Sequence, residues 1–390
     1  MSAFHLAVGL EGAGWHPAAW RVPSARPTEV LDAAYWVDLV QSAERGGIDL
    51  VTFADTFASA HPQTSAPGRL DAELVASRVA PVTDRIGLVP VVTTTHTEPF
   101  HVATRIASLD WISAGRGGWL VQTLQDATER QLFGRRDQSS ISGSHLRKEA
   151  ADSVEVARRL WDSWEDGAEI RDRATGRFVD RTRLHPIDFE GPFFSVRGPA
   201  ITPRPPQGQP VVATTATRDD EAALDLAAEA ADLVFLSLTG PVSVPDAIHA
   251  VRRAEARVGR SGPPLRVFID LFVVLADSTE EAVTAHLHLD RLDGTTWRPG
   301  GALVATDAAG LVEILGPWAA AGLDGIRLLP ARVPQDLEAI VDHVLPRLRQ
   351  AGLRDDDLRP GSLRERLGLE RPLNRYERPL AGAIRREGGS

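Results

Sequence analysis

IGLVPVVTTTHTEPFHVATRIASLDWISAGRGGWLVQT, residues 86–123, holds two apolar runs separated by one helical stretch. Ile86 to Thr95 is dense in Val and Leu with no polar alternation, which predicts a strand covered on both faces. Phe100 to Ile112 reads as a helix, and Gly117 to Thr123 as the next strand. A strand buried on both faces, a helical crossover and a second such strand form a βαβ unit of a parallel sheet.

The same period extends in both directions. Toward the amino end, Phe4 to Leu10 is a strand that runs into Gly12-Ala13-Gly14, and a helical pattern follows from Thr28 to Arg45. Ile48 to Ala54 is the second strand, and Asp71 to Ala80 the helix after it. Toward the carboxyl end, a long helical region runs from about His145 to Trp164. From Asp166 to Gln209, Gly, Pro and aromatic residues crowd together, which predicts an irregular insertion. Alternation then resumes with strands Pro210 to Thr215, Leu233 to Leu238, Leu265 to Leu275 and Gly325 to Leu329. Helices Asp219 to Ala230, Val244 to Val258, Thr279 to Leu289, Asp307 to Ala321 and Pro334 to Leu348 accompany them. Eight buried-type strands alternating with helices predict an α/β protein, a closed (β/α)8 TIM-type barrel over residues 1–350, with an open doubly wound sheet as the alternative. The insertion about 166–209 belongs to it. Residues 351–390, polar and Arg-rich, are expected to pack as an extension on the barrel or on a neighbouring subunit.

Composition narrows the function. The 390 residues carry 43 basic and 53 acidic side chains, a formal charge of −10, so the overall field repels nucleic acid and anionic lipid. There is no cysteine, which removes disulfides, thiolate metal sites and a cysteine nucleophile. No leader pattern or membrane span is evident, so the cytoplasm is the expected location and no membrane partner is expected. GxxxxGK[ST] and HExxH are absent, Gly12-Ala13-Gly14 lacks the third glycine of a dinucleotide fingerprint, and no metal is expected.

In a barrel of this kind the chemistry sits on the loops after the strands. That rule selects Asp55, Thr56 and Phe57; Thr93 to Glu98, including Thr94, Thr95 and His96; Gln122 and Thr123; and Thr214, Thr215, Thr217 and Arg218. Hydroxyl and amide groups dominate, which suits holding a polar ring or phosphate by hydrogen bonds, and no carboxylate pair suited to glycoside hydrolysis stands out. His96 reads either as a catalytic proton handler or as a structural histidine. Asp55 reads as a base, a partner for a ring nitrogen, or a cap. Gly115, Gly117 and Gly118 precede a strand and read as a turn, His286 and His288 as surface residues, and Trp161 with Trp164 as one packed helix face.

Several stretches carry a family likeness: His16-Pro17-Ala18-Ala19-Trp20, Ala43-Glu44-Arg45-Gly46, Phe53-Ala54-Asp55, Thr94-Thr95 through Glu98-Pro99-Phe100-His101, and Ala107-Ser108-Leu109-Asp110 through Gly115-Arg116-Gly117-Gly118-Trp119. Leu160 to Asp166, Phe194 to Pro199, Pro203 to Gly208 and Leu363 to Leu369 continue it. Together they resemble the bacterial-luciferase-like flavin-dependent monooxygenases, in the branch of the nitrilotriacetate, dibenzothiophene-sulfone and pristinamycin-type enzymes. The resemblance implies a TIM-type barrel that takes FMN reduced by a separate flavin reductase and uses molecular oxygen to oxygenate a small organic substrate, here expected to be apolar or aromatic. It also implies a homodimer or other homo-oligomer, and it places Asp55, Thr94 and Thr95 beside the flavin ring.

The chain departs from that pattern at Leu120, where the family has asparagine, at Gln122 and Leu124, and in lacking a tyrosine near His145 to Glu149. The family's Gly-Ser-Ser phosphate loop is replaced by Thr214 to Asp219. Arg147 and Arg218, with Thr214, Thr215 and Thr217, are the expected substitute phosphate donors. A deazaflavin-dependent hydride transferase and a barrel that has lost its cofactor remain as alternative readings.

Overall fold

The computed structural model describes residues 4–57, 68–124, 126–133, 142–240, 243–354 and 360–377. Eight parallel strands close on themselves: β1 (His5–Leu10), β2 (Leu50–Phe53), β3 (Gly87–Thr93), β4 (Gly118–Gln122), β5 (Val211–Thr217), β6 (Leu233–Ser237), β7 (Arg266–Leu275) and β8 (Gly325–Pro330). Each pairs with the next, and β8 returns to β1 through the register His5 opposite Gly325. The expected barrel is therefore the fold, and the open sheet is not. Crossover helices surround it: α1 (Ala33–Gly46), α2 (Ala72–Val79), α3 (Pro99–Ile112), α4 (Gly143–Asp162), α5 (Glu221–Ala230), α6 (Val244–Val258), α7 (Thr279–Asp293) and α8 (Ala308–Ala320).

Three local readings change. The first helix begins at Ala33, not Thr28: Val30 is buried in a turn whose carbonyl accepts the Trp36 indole N–H, and apolar helix spacing begins only with Tyr35, Trp36 and Leu39. A ninth strand, Ala302–Thr306, stands between α7 and α8 where only helices are expected. β7 has ten residues; β6 covers Arg266 to Asp270 and the added strand covers Leu271 to Leu275, so the long strand needs a second neighbour to satisfy its outer backbone. The closing helical region runs from Gln335 to Gln350 through a π-helical stretch at Ile340–Val344.

Residues 166–209 contain two short hairpins, Glu169–Asp172 with Arg177–Val179 and Phe189–Glu190 with Ser195–Val196. The tail turns back beneath the barrel. A short helix, Leu363–Arg366, opened by a capping box at Ser362 and Glu365, brings Leu363, Leu367 and Leu369 against the inward-facing Ala7, Leu50, Val89, Leu233 and Phe268. Gly87 is required there, since a Cβ would lie 2.6 Å from Leu363 Cδ1. Arg364 donates to Asp232 at 2.8 Å and to the Gln209 carbonyl at 2.9 Å. Residues 355–359 and 378–390 of the expected extension lie outside the described residues.

The stretch from Asp110 to Trp119 does its work at this lower end as well. Arg116, 5% exposed, uses its whole guanidinium on Ser113, Thr83, Ile86 and Ala80. Asp110 accepts from the Gly117 and Gln207 backbones and from the Gln207 amide. A Cβ on Gly117 would meet the Asp110 backbone at 2.9 Å. The turn expected here is thus a tightly bonded corner on the stability face of the barrel. No helix among the described residues is long and apolar enough to cross a membrane.

Candidate active site

At the carboxyl ends of the strands polar and charged side chains join Val91, Leu120 and Val121. A cavity of about 420 Å³ opens there, walled by Glu11 and Trp15 after β1, Thr52 and Asp55 of β2 and its loop, Gln122 of β4, Thr215 of β5 and Arg327 of β8. A second cavity of about 290 Å³ adjoins it between β4, β5, α4 and α5. Val121, Gln122 and Thr215 line both.

Asp55 stands at the first cavity, as the strand-end rule expects. Its Oδ1 accepts the Thr56 N–H at 2.8 Å and its Oδ2 the Ala72 N–H at 3.2 Å, so it also orders the loop and the start of α2. Burial pushes its pKa up against these two N–H bonds. Glu11 lies on the same wall, 3.1 Å from Arg69, and burial raises its pKa against the Arg69 charge, with the nearby Asp55 adding to the rise. Burial thus works against the charge of both carboxyls, while Arg69 and the two N–H donors favour it.

The Thr94-Thr95 pair does not line either cavity. Thr94 donates its hydroxyl to the Gln122 carbonyl at 3.2 Å, and Thr95 Oγ1 accepts the Leu124 N–H at 3.0 Å. Both are buried, and in this structure their hydroxyls tie the β3 loop to the end of β4. His96 follows in the left-handed region at φ 66°, its ring stacked on Phe133 with centroids 5.0 Å apart. It lies off the lining of both cavities. His101 is exposed on α3.

The second cavity gathers Arg147 from the first turns of α4 with Thr214, Thr215 and Thr217 of β5. Thr214 Oγ1 is buried with no hydrogen-bond partner among the described residues, and Arg147 reaches Asp220 Oδ2 at 2.5 Å. Arg218 does not join them: it turns to its neighbour Asp219, bonding at 3.0 Å, and is absent from the lining. A charged side chain at a helix-entry turn pairs with the nearest acid, and sequence spacing alone does not say which way it faces.

Strand-end reading missed three features. Glu11 is the residue directly after β1. Arg327 and Asp270 interrupt otherwise apolar strands, GIRLLP and RVFIDLFVVL, and face each other in register. Those two lone charges inside buried runs were the available signal, since a buried charge needs a partner. Aromatics also back the cavity wall at Trp15, which packs edge-on to Phe272 at 5.7 Å, and Phe272 to Trp297 at 5.4 Å. His16 lies tilted against Trp297, centroids 4.8 Å apart, and meets Asp290 at 3.2 Å. His286, expected at the surface, stands one helical turn from Asp290 on α7, 3.7 Å away, and faces His16 in this cluster, whereas His288 is exposed. Among the described residues no three His, Asp or Glu side chains are grouped to hold a metal ion.

Residues 15–314 match the family model described as luciferase-like monooxygenase. The chain belongs to the luciferase-like monooxygenase family. It is 30% identical to the N-acetyl-S-(2-succino)cysteine monooxygenase of Bacillus subtilis, over 95% of this chain and 98% of that protein. It is 28% identical to component A of the nitrilotriacetate monooxygenase of Aminobacter aminovorans, over 94% and 96%. Among solved structures, riboflavin lyase with modified FMN and riboflavin superposes with a TM-score of 0.82 at 25% identity, covering 95% of this chain and 97% of that one. A long-chain alkane monooxygenase has a TM-score of 0.84 at 22% identity, over 94% and 96%, a likeness of fold. This luciferase-like protein is accordingly an oxidoreductase, and its chemistry belongs at the cavity-bearing end of the barrel.

Proposed function

We propose that this luciferase-like protein is the oxygenating component of a two-component monooxygenase, taking reduced FMN from a separate reductase and oxygenating a small organic substrate. The observation that carries the reading is the pair of adjoining cavities, one large enough for a planar ring system and the other holding, beside an arginine, a buried hydroxyl with no partner among the described residues. A buried donor left without a partner is costly, and a phosphate oxygen would satisfy it. The donor set therefore fits the group.

Thr214, Thr215, Thr217 and Arg147 would hold the phosphate, and the 420 Å³ cavity the ring. Bound reduced flavin supplies the activation of oxygen; the protein supplies everything around it. Asp55 and Glu11, whose pKa values burial raises, would stand at the ring's edge, Glu11 paired with Arg69. Trp15 on the cavity wall, backed by Phe272 and Trp297, would help to keep water from the ring and suits an apolar or aromatic substrate. His96 would act from the β3 loop, relaying a proton to the cavities that it does not itself line. Thr94 and Thr95 act by fixing that loop.

The test is an anaerobic calorimetric titration of the purified protein with reduced FMN, followed by admission of oxygen in the presence of candidate apolar substrates. Tight binding, with oxygen uptake coupled to product, supports the reading. Binding of a deazaflavin coenzyme in place of FMN, with hydride transfer that ignores oxygen, would replace it.

A further inference from the structure

The interior of the barrel is apolar up to one layer, above which charged groups enter it. Below, Leu233, Phe235 and Phe268 fill the space between the strands. Immediately above Phe235 stands Arg327, its guanidinium carbon 3.9 Å from the ring centroid. Nε and Nη2 bond the two oxygens of Asp270 at 2.7 Å each, and Nη1 reaches Thr52 Oγ1 at 3.3 Å. Ser237 donates to Asp270 Oδ2 at 3.4 Å. Arg327 lines the 420 Å³ cavity; Asp270 does not.

Two properties follow from that arrangement. A buried ion pair rarely stabilises a fold more than apolar residues of similar volume, so stability gives little reason for charges in this layer. And the pair is oriented: its positive end faces the cavity, with the carboxylate behind it. A planar guanidinium backed by an aromatic ring and fixed along one edge is a rigid, cationic floor for whatever flat group occupies the space above. Arg69, the other guanidinium on this cavity among the described residues, is committed to Glu11.

We propose that Arg327, held by Asp270, Thr52 and Phe235, is the specificity-determining residue that makes this cavity favour the reduced, anionic state of a flavin ring over the oxidised, neutral one. The inference rests on the flavin reading above. Reduction adds negative charge to the ring when the N1 proton is lost, whereas the oxidised ring is neutral, so a fixed positive charge on the cavity floor stabilises the two states unequally. Asp270 acts as a positioning residue: it orients the guanidinium and moderates its charge.

The experiment measures the dissociation constants of oxidised and reduced FMN, and the midpoint potential of the bound flavin, in the intact protein and in three variants, with circular dichroism confirming the fold. In the wild type, reduced FMN is expected to bind at least tenfold more tightly than oxidised FMN. Arg327→Gln combined with Asp270→Asn removes the charge without orphaning a partner, and the preference should fall about tenfold, a lowering of the two-electron potential by about 30 mV. Asp270→Asn alone leaves the positive charge less compensated, and it should move the preference and the potential the other way. Arg327→Lys keeps the charge and should keep most of the preference. Equal loss of affinity for both states in the double variant, or an Asp270→Asn shift in the same direction as the double variant, overturns the proposal and leaves Arg327 a structural residue. Wild-type protein that binds neither state overturns the flavin reading itself, and this inference with it.

Discussion

Removing the Leu363 side chain tests how much of the barrel is held from below. Leu363 has no exposed surface and sits among the inward-facing residues of the strands, with Gly87 kept open to admit it. Leu363→Ala deletes three carbons, about 2.4 kcal/mol at ~0.8 kcal/mol per carbon group. The surrounding strands are rigid and collapse little, so a cavity term adds to the transfer term and brings the expected loss to about 3–4 kcal/mol. Equilibrium urea unfolding followed by tryptophan fluorescence reads the change, with Trp119 buried in the barrel wall as a reporter. Leu373→Ala serves as the control, since that side chain is 90% exposed and its loss should change little. The site lies at the opposite end of the barrel, so flavin affinity should stay at the wild-type value. A loss below about 1 kcal/mol would refute the view that the tail is part of the core, since that is less than the transfer term alone.

Three further outcomes are expected. Thr214→Val should weaken FMN binding by about tenfold to a hundredfold, the worth of a hydrogen bond to a charged group, while Arg218→Ala should change it less than twofold, both read by calorimetry. His96→Asn, which tolerates the left-handed backbone at φ 66°, should lower turnover by about a hundredfold with flavin affinity unchanged; full turnover would make His96 a structural residue of the β3 loop. Although burial pushes the Asp232 carboxyl up, Arg158, Arg364 and the Val212 N–H together hold it well below the usual carboxylate range. Its folded pKa is depressed, so its stabilisation is present above the unfolded value of about 4 and drains away as pH falls through it. In unfolding measured between about pH 2.5 and 6, Asp232→Asn should be the less stable protein at pH 6, and its deficit against wild type should narrow toward pH 2.5.

The eight strands were legible because a parallel barrel buries each on both faces, and an apolar run such as Ile86 to Thr93 or Leu233 to Ser237 has no other soluble home. The strand Ala302–Thr306 was not: four of its five residues are only partly buried, and it exists to complete the outer half of β7, a need set by a partner more than 25 residues earlier. Thr94 and Thr95 show the same limit within the site. Their position after β3 follows from the strand-end rule, but the direction of each hydroxyl depends on where the β4 carbonyl of Gln122 and the N–H of Leu124 arrive.

By itself the sequence determined the barrel, the end of it that carries chemistry, the family, and the strand-end position of Asp55, because these depend on local hydrophobic period and short motifs. Tertiary structure alone decided that the tail plugs the lower end, that Arg147 faces the second cavity while Arg218 turns to Asp219, and that Arg327 meets Asp270 on the cavity floor. Each of these is a pairing between groups that curvature and closure of the sheet bring together. The energy of such a pairing depends on distance and burial in three dimensions, which spacing along the chain does not encode.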